Sequence, residues 1–500
     1  MSWLLIVTVV VLLVYIFITW RRNQNKTPLP PGPSIFESLK IVWGMIRRKD
    51  IHHIGESLAK RYGDIFVIRI FGSHLVYVNS FRILRKMFTS TNYRDVTNDR
   101  PPNFLREYIL PTKQEMAFSD YSENQVKLRK IFHSVVKLYG DGIHAFEHLV
   151  TSEIQDLEEK LASVKTGQSV DFDMELTNSI IRILYIFLTD ERPKDEVMVC
   201  STIENYDRLL NIIFRFDINT SLTLFPWLRH LPTFIGKTFL EVMEEQERML
   251  DIFLHRMKNE SKKYSGGLLG AMLSEQERDS TLSEESVKGV IINTVVGGFV
   301  TTKGFLSGFF LLMLHYPDVQ SRIQDEIDKE IGDKQPILND RQELHYTNAA
   351  ILECFRYIRH TIIGLPHMNN AEFEFEGYRI PANSTIITNY WYMARDGKIW
   401  KHPDMFKPER FLDDDGKLVS SDHPLRQGFN PFGVGRRNCV GESFAKSRIF
   451  LYVTSLLQKF TFLPDGGPLP SDDSSTWKPY AALHPDSLSC LIKIRKKCEH

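Results

Sequence analysis

The residue with the clearest chemical potential is Cys439, in the stretch Pro-Phe-Gly-Val-Gly-Arg-Arg-Asn-Cys-Val-Gly that runs from Pro431 to Gly441. Gly433 and Gly435 allow positive φ angles, so a tight turn can direct successive backbone N–H groups at the sulfur. The residues after Cys439 have the pattern of a helix with an apolar face. The positive end of that helix would favour a thiolate over a thiol.

Two interpretations of Cys439 compete. A single cysteine in a glycine-rich loop can be a buried structural residue. Arg437, however, can offer its planar guanidinium group to a carboxylate. A thiolate with one open face beside a carboxylate partner is typical of an axial ligand of haem iron. The full spacing Phe-x-x-Gly-x-Arg-x-Cys-x-Gly, from Phe432 to Gly441, resembles the haem-binding loop of the cytochrome P-450 family. This resemblance implies that the cofactor is haem b, with Phe432, Arg437 and Gly441 in contact with it.

Composition excludes several other classes. The 500 residues carry 62 Lys and Arg against 62 Asp and Glu, so no net positive field favours nucleic acid. The five cysteines have an odd count and no paired spacing, which argues against a disulfide framework and against a zinc site.

The N-terminus predicts a membrane anchor over residues 1–22. Residues 3–20 are apolar and uncharged, which is just long enough to cross the hydrocarbon core as a helix. Basic residues follow at once, so the rest of the chain is expected in the cytosol, and a cleaved signal peptide fits this pattern less well. A proline-rich hinge over 23–34 would separate the anchor from a haem-binding catalytic domain over 35–500. The resemblance implies single-pass attachment to the endoplasmic reticulum membrane.

The remaining chain predicts a mainly α fold with small β-sheets. Helical periodicity dominates from about 123 to about 460. A hairpin is expected over 65–71 and 75–78, and strands near 373–380, 385–390 and 488–494. The polar segment 261–286 has the composition of a surface connection. The resemblance implies a cytochrome P-450 fold behind one transmembrane helix.

Glu353 and Arg356, separated by three residues on an apolar helix, predict a buried ion pair, and buried charges persist only when fully paired. Arg410 can complete a triad. The order of these residues resembles the Glu-x-x-Arg and Pro-Glu-Arg-Phe elements of the same family, which implies a structural role.

Residues 290–302 predict a buried helix, apolar on every side and too short between Lys288 and Lys303 to span a membrane. Gly297 and Gly298 indicate either close helix packing or a local groove, widened where Thr301 bonds back along its helix. The segment resembles the oxygen-activation motif of the family, which implies catalytic roles for Thr301 and Thr302. The family has an acidic residue where this chain has Val300, which leaves open how protons are delivered and which reaction type results.

The resemblance also implies a wider site. Arg129, on a helix predicted over 121–139, matches an arginine that pairs with a haem propionate, although Gln125 replaces the tryptophan of that element; a plain surface charge is the alternative. The resemblance further implies that His367 is a second propionate contact; a hydrogen-bonded strand residue is the alternative. The predicted pocket residues are Phe299, Ile362, Ile363 and Leu365.

The implied activity is insertion of one oxygen atom from O2 into a lipophilic organic substrate, such as a steroid, a fatty acid or a xenobiotic. Electrons would come from NADPH through a flavoprotein reductase. Two alternatives stay open: a haem-thiolate isomerase or dehydratase that acts on peroxides without a reductase, and a non-enzymatic haem sensor. The sequence does not reveal substrate identity, regioselectivity, tissue or oligomeric state.

Overall fold

The computed structural model describes residues 27–48, 51–70, 72–110, 114–138, 144–259, 266–479 and 482–495. The predicted anchor, residues 1–22, and the start of the predicted hinge lie outside the described residues.

Helices make up most of the described chain, as the sequence predicted. The helices, in chain order, are α1 (Ile35–Arg48), α2 (Ile51–Tyr62), α3 (Phe81–Thr89), α4 (Glu123–Leu138), α5 (His144–Ala162), α6 (Phe172–Thr189), α7 (Glu196–Phe214), α8 (Phe216–Leu224), α9 (Phe234–Asn259), α10 (Gly267–Arg278), α11 (Glu284–His315), α12 (Pro317–Glu330), α13 (His345–Ile358), α14 (Tyr390–Met393), α15 (Pro424–Gly428) and α16 (Glu442–Lys459). Short 3-10 turns, such as Pro226–His230 and Pro408–Phe411, connect several of them.

Four small sheets complete the described fold. The strands, in chain order, are β1 (Ile65–Ile70), β2 (Ser73–Val78), β3 (Ser169–Asp171), β4 (His367–Met368), β5 (Phe373–Phe375), β6 (Tyr378–Ile380), β7 (Thr385–Thr388), β8 (Phe460–Leu463), β9 (Lys478–Pro479), β10 (Leu483–His484) and β11 (Ser489–Ile494). The largest sheet has the order β1-β2-β7-β4, and the others are β3-β11-β8, β5-β6 and β9-β10. The antiparallel β1–β2 pair, with Ile65 opposite Val78, is the hairpin that the sequence predicted.

Helix α11 passes through the main hydrophobic core. It begins where the Ser283 hydroxyl accepts the backbone N–H of Ser286 at 3.1 Å, which caps its first turn. It is the one described helix that is long and apolar enough to cross a membrane, but most of its side chains are buried inside the protein. The helix extends beyond both Lys288 and Lys303, so it is longer than the helix over 290–302 that the sequence predicted. Lys303 instead pairs with Asp173 on α6 at 3.2 Å.

The proline-rich segment is attached to the sheets. The carbonyl oxygen of Pro31 accepts the N–H of Val67 at 2.9 Å, and that of Pro28 accepts the N–H of Arg379 at 2.8 Å. A Cβ on Gly32 would lie 2.0 Å from the carbonyl oxygen of Val67, so only glycine permits this approach. The described part of the segment therefore belongs to the folded body and does not act as a free spacer.

The predicted surface connection over 261–286 contains a helix. Residues 266–286 are described, and they form α10 and the start of α11. Leu268, Leu269 and Met272 of α10 are buried. These three apolar side chains form one narrow stripe on the helix. Polar residues surround them in the sequence, so the helical periodicity was too weak to predict α10.

Candidate haem site

The Cys439 loop has the local geometry that its glycines predicted. Gly433 and Gly435 have φ angles of 76° and 82°. A Cβ on Gly435 would lie 2.6 Å from the carbonyl oxygen of Phe88, so the loop can pack on α3 only with glycine there. The N–H of Cys439 donates to the carbonyl oxygen of Phe432 at 2.8 Å. The cysteine is thereby held three residues before α16 begins.

The thiol environment differs in one respect from the sequence interpretation. Burial raises the pKa of Cys439, and it outweighs the opposing effects of the Gly441 N–H, which hydrogen-bonds to the sulfur, and of Arg129 and Lys446. The helix end alone therefore does not ionise this residue. A metal ion bound to the sulfur would, because coordination deprotonates a thiol.

Cys439 faces a cavity of about 320 Å³. The side chain is exposed, and the space to which it is exposed is this internal cavity, which explains why burial still raises its pKa. The walls come from the Cys439 loop, from α11 and from the start of α16, and the apolar lining residues include Phe132, Leu184, Phe355, Phe432 and Phe444. The volume falls within the usual range for small-molecule sites.

Helix α11 presents a groove to this cavity. The Thr301 hydroxyl donates to the carbonyl oxygen of Gly297 at 2.6 Å, the back-bond that bends helices. A Cβ on Gly297 would meet no atom within 4 Å, whereas one on Gly298 would lie 2.7 Å from Cδ2 of Leu184 on α6. Both interpretations of the glycine pair thus apply, one to each residue: Gly297 opens the groove and Gly298 permits close helix packing.

The glycine pair gives a matched test. Ala at 297 has room and gains about 1 kcal/mol of helix propensity, while Ala at 298 crowds Leu184, and overpacking typically costs about 1–3 kcal/mol. We expect Gly298→Ala to unfold at a lower denaturant concentration than Gly297→Ala. Equal midpoints in chemical denaturation would contradict the assigned packing. Gly297→Ala should instead weaken ligand binding in spectral titration.

Several predicted site residues lie elsewhere. Thr302 is buried, is not among the cavity-lining residues, and its hydroxyl accepts a hydrogen bond from Arg448 at 2.9 Å. Val300 and Phe299 are likewise buried in the core. Of the four predicted pocket residues only Leu365 lines the cavity; Phe299, Ile362 and Ile363 do not. Consecutive residues on a helix point in different directions, so a motif cannot place all its members on one face.

Two buried arginines, Arg100 and Arg437, and the half-buried Arg129 give the cavity a positive region. Arg129 donates to the carbonyl oxygen and Oδ1 of Asn438 at 2.9 and 3.0 Å. Arg437 donates to the carbonyl oxygens of Asn98 and Ala117, each at 2.9 Å. Arg100 shares the Ala117 oxygen. Burial lowers the pKa of all three; Arg437 and Arg129 lower the pKa of Arg100 further, and Arg129 does the same to Arg437.

The hydrogen-bond partners of these arginines are neutral carbonyl and amide oxygens, so most of the positive charge is uncompensated. A buried guanidinium group is stable only when it is paired with an anion. Glu115 is the acidic group with the largest electrostatic effect on Arg100 and Arg437, but burial raises its own pKa. The carboxylates of a haem would neutralise these cations. A Cβ at Gly441, on the cavity wall, would also meet no atom within 4 Å. The residues therefore fit haem.

His367 lies beside the arginines but is built differently. Its ring stacks on Phe88 with centroids 4.1 Å apart, and Nδ1 must donate to the carbonyl oxygen of Thr97, 2.8 Å away. Burial, with Arg100, keeps its pKa well below the usual value. In the neutral ring Nε2 is then an acceptor. Contact with a carboxylate would require this histidine to take up a proton.

The structure brings Glu353, Arg356 and Arg410 together. Arg356 donates to both carboxylate oxygens of Glu353, at 2.8 and 2.7 Å, and Nε of Arg410 donates to the same carboxylate at 3.0 Å. Both arginines also donate to backbone carbonyl oxygens near residues 401–405. The triad thus fixes the segment that precedes the Cys439 loop.

Sequence reasoning missed Arg100 and Arg448 as lining residues. Arg100 precedes two prolines in a loop and carries no periodic signal. Gln125, at the position of the absent tryptophan, donates to the carbonyl oxygen of Met116 at 3.0 Å and so braces the loop that holds Arg437. Lys127 on α4 is paired with Asp279 at 2.5 Å.

Comparison with known proteins shows the family. The family model "Cytochrome P450" matches residues 30–488, so the chain belongs to the cytochrome P450 family. Cytochrome P450 2D27 of Mesocricetus auratus is 30% identical over 90% of this chain and 91% of its own length. Steroid 17-alpha-hydroxylase/17,20 lyase of Rana dybowskii is 28% identical over 90% and 88%. A zebra fish cytochrome P450 structure with progesterone has a TM-score of 0.75 at 25% identity, covering 89% of this chain and 99% of that one.

The chain is therefore an oxidoreductase of the haem monooxygenase class, with haem b as its cofactor and the cytochrome P-450 fold. The resemblance drawn from the Cys439 loop is confirmed.

Proposed function

We propose that this protein inserts one oxygen atom from O2 into a lipophilic organic substrate, with Cys439 as the axial ligand of the haem iron. The observation that carries the proposal is the cavity in which Cys439, the Gly297–Thr301 groove and the positive region formed by Arg100, Arg129 and Arg437 meet. When bound, haem supplies dioxygen activation, and a thiolate ligand favours O–O cleavage.

Each group in the cavity has a separate task. Arg100, Arg129 and Arg437 bind the propionates, and Gly441 leaves room for the macrocycle. The Thr301 hydroxyl, held on the Gly297 carbonyl oxygen, orients a water in the groove and passes a proton from it. The apolar walls exclude bulk water.

The apolar lining supports a lipophilic substrate: a steroid, a fatty acid or a xenobiotic. The names of two comparison proteins point to the first of these, since one is a steroid 17-alpha-hydroxylase/17,20 lyase and another was solved with progesterone. Electrons come from NADPH through a flavoprotein reductase. Because Lys127 is already paired, a reductase would have to use other cations, such as the exposed Lys130.

The test is a reconstituted assay with reductase, NADPH and a lipophilic substrate panel. We expect substrate-dependent O2 consumption. Thr301→Val should lower the rate of product formation by about 10²-fold, the scale of general acid catalysis, while Thr301→Ser keeps the hydroxyl and most of the rate. Equal rates from the two variants would contradict the role of Thr301.

The peroxide-rearranging alternative rests on Val300, which is buried and apolar where the family has an acid. Such an enzyme needs no external electrons. Product from a hydroperoxide with neither NADPH nor reductase present, and none from O2, would favour it over the monooxygenase.

Attachment to the endoplasmic reticulum membrane is part of the proposal, with residues 1–22 as a single-pass anchor and the catalytic domain in the cytosol. An apolar surface supports contact with lipid: Phe36 and Trp43 on α1 are 81% and 61% exposed, α1 packs against α8, and Phe225 and Trp227 follow α8. In vesicles, spin-labelled lipids should quench the tryptophan fluorescence of the full chain less in Trp227→Phe than in the parent protein. Undiminished quenching would place Trp227 outside the bilayer.

A further inference from the structure

Helix α16 turns one stripe toward the cavity. Gly441, at its cap, and Phe444, Ala445 and Arg448 all line the cavity wall, at the spacings of three and four residues that share a helix face. Three of these residues are small or apolar. Arg448 is the exception: a guanidinium group on a residue only 1% exposed.

The hydrogen bonds of Arg448 are incomplete. Its Nη2 donates to the Thr302 hydroxyl at 2.9 Å and approaches the carbonyl oxygen of Gly298 at 3.4 Å, and its guanidinium lies 4.0 Å from the centre of the Phe444 ring. Within the described residues, Nε and Nη1 have no hydrogen-bond partner, and no carboxylate is among the groups that influence the pKa of Arg448. A buried cation without an anion is unfavourable, so a negative group in the same cavity would stabilise it.

Cys439 lines the same cavity and is the group that becomes negative there. Burial lowers the pKa of Arg448 to about 9, while Tyr452 and Cys439 act in the opposite direction. The guanidinium is therefore charged at neutral pH. It also holds α11 through Gly298 and Thr302, next to the residues that form the groove, so its position relative to the cavity is fixed by two helices.

We propose that Arg448 is a positioning residue whose fixed charge stabilises the reduced form of the thiolate-ligated haem and so raises its reduction potential. The inference rests on the proposed ligation by Cys439. Reduction adds one electron from an external donor, a flavoprotein or dithionite, breaks no bond, and leaves the site one unit more negative. A cation in a low-dielectric wall favours that state.

The test is the midpoint potential of the haem-loaded protein, measured by dithionite titration. Arg448→Gln keeps an N–H donor for Thr302 but removes the charge, and Arg448→Lys keeps the charge. We expect Arg448→Gln to make the equilibrium constant for reduction about tenfold smaller, which is about 59 mV for one electron. Arg448→Lys should shift the midpoint potential by less than half of that amount. Arg448→Met, which preserves apolar contact with Phe444, serves if the glutamine variant does not take up haem.

The outcomes separate the inference from its premise. An unchanged potential in a neutral variant that retains the red-shifted Soret band of the reduced CO complex would overturn the role of Arg448 alone. Equal losses in Arg448→Gln and Arg448→Lys would do the same, since shape and not charge would then matter. Absence of that band in the unsubstituted protein would overturn ligation by Cys439.

Discussion

Replacing Cys439 by alanine should abolish the red-shifted Soret band of the reduced CO complex. That band requires thiolate ligation, and Cys439 is the one cysteine among the residues that line the cavity. Variant and parent should be expressed with ample haem precursor, and their reduced-minus-reduced-CO difference spectra compared. The arginines and the open space at Gly441 remain in the variant, so some haem should still bind, with a spectrum typical of a nitrogen or water ligand.

Cys200→Ala is the matched control. Cys200 is buried on α7, away from the cavity, and burial raises its pKa to about 12, so it remains a thiol. Its replacement should leave the band in place. Survival of the band in Cys439→Ala would refute the ligand assignment.

Glu353→Gln should be the most destabilising single substitution in the frame of the site. It keeps the shape of the side chain but leaves Arg356 and Arg410 without their shared anion. Breaking a buried ion pair from one side costs about 3–5 kcal/mol, a large share of the stability of a typical domain. We expect a lower midpoint of chemical denaturation and weaker haem retention, both followed by absorbance.

Glu330→Gln on α12 is the control. Glu330 pairs with Lys329 at 2.6 Å, but the lysine side chain is 80% exposed, and exposed pairs contribute at most about 1 kcal/mol. If the two variants lost equal stability, the triad would be no more than a surface-like pair, and its proposed role in fixing the Cys439 loop would fail.

Local signals in the sequence were sufficient for the features that depend on neighbouring residues. The positive φ angles of Gly433 and Gly435 and the β1–β2 hairpin follow from residue types within a few positions. The approach of Arg410 to Glu353 is a contact across 57 positions, and it was foreseen because the family resemblance supplied the missing distance information.

Local sequence signals did not predict features that depend on where a side chain points in the folded protein. Thr301 and Thr302 are adjacent in sequence, yet one faces the cavity and the other binds Arg448. Arg100 reaches the site from a loop without periodicity. The raised pKa of Cys439 arises from burial by residues distant in sequence, which a count of local N–H groups does not include.

The attachment of Pro28 and Pro31 to the sheets also limits how the enzyme can sit on a lipid surface. From Pro28 onward the backbone moves with the folded body, because Pro28 is hydrogen-bonded to β6 and Pro31 to β1, the edge strand of the sheet that also carries Thr388 and His367. Lengthening the chain upstream of Pro28 would alter reach without altering which edge of the protein the tether leaves. Breaking the hydrogen bond between Pro31 and Val67 would release this segment from β1 and shift the point at which the chain leaves the folded body.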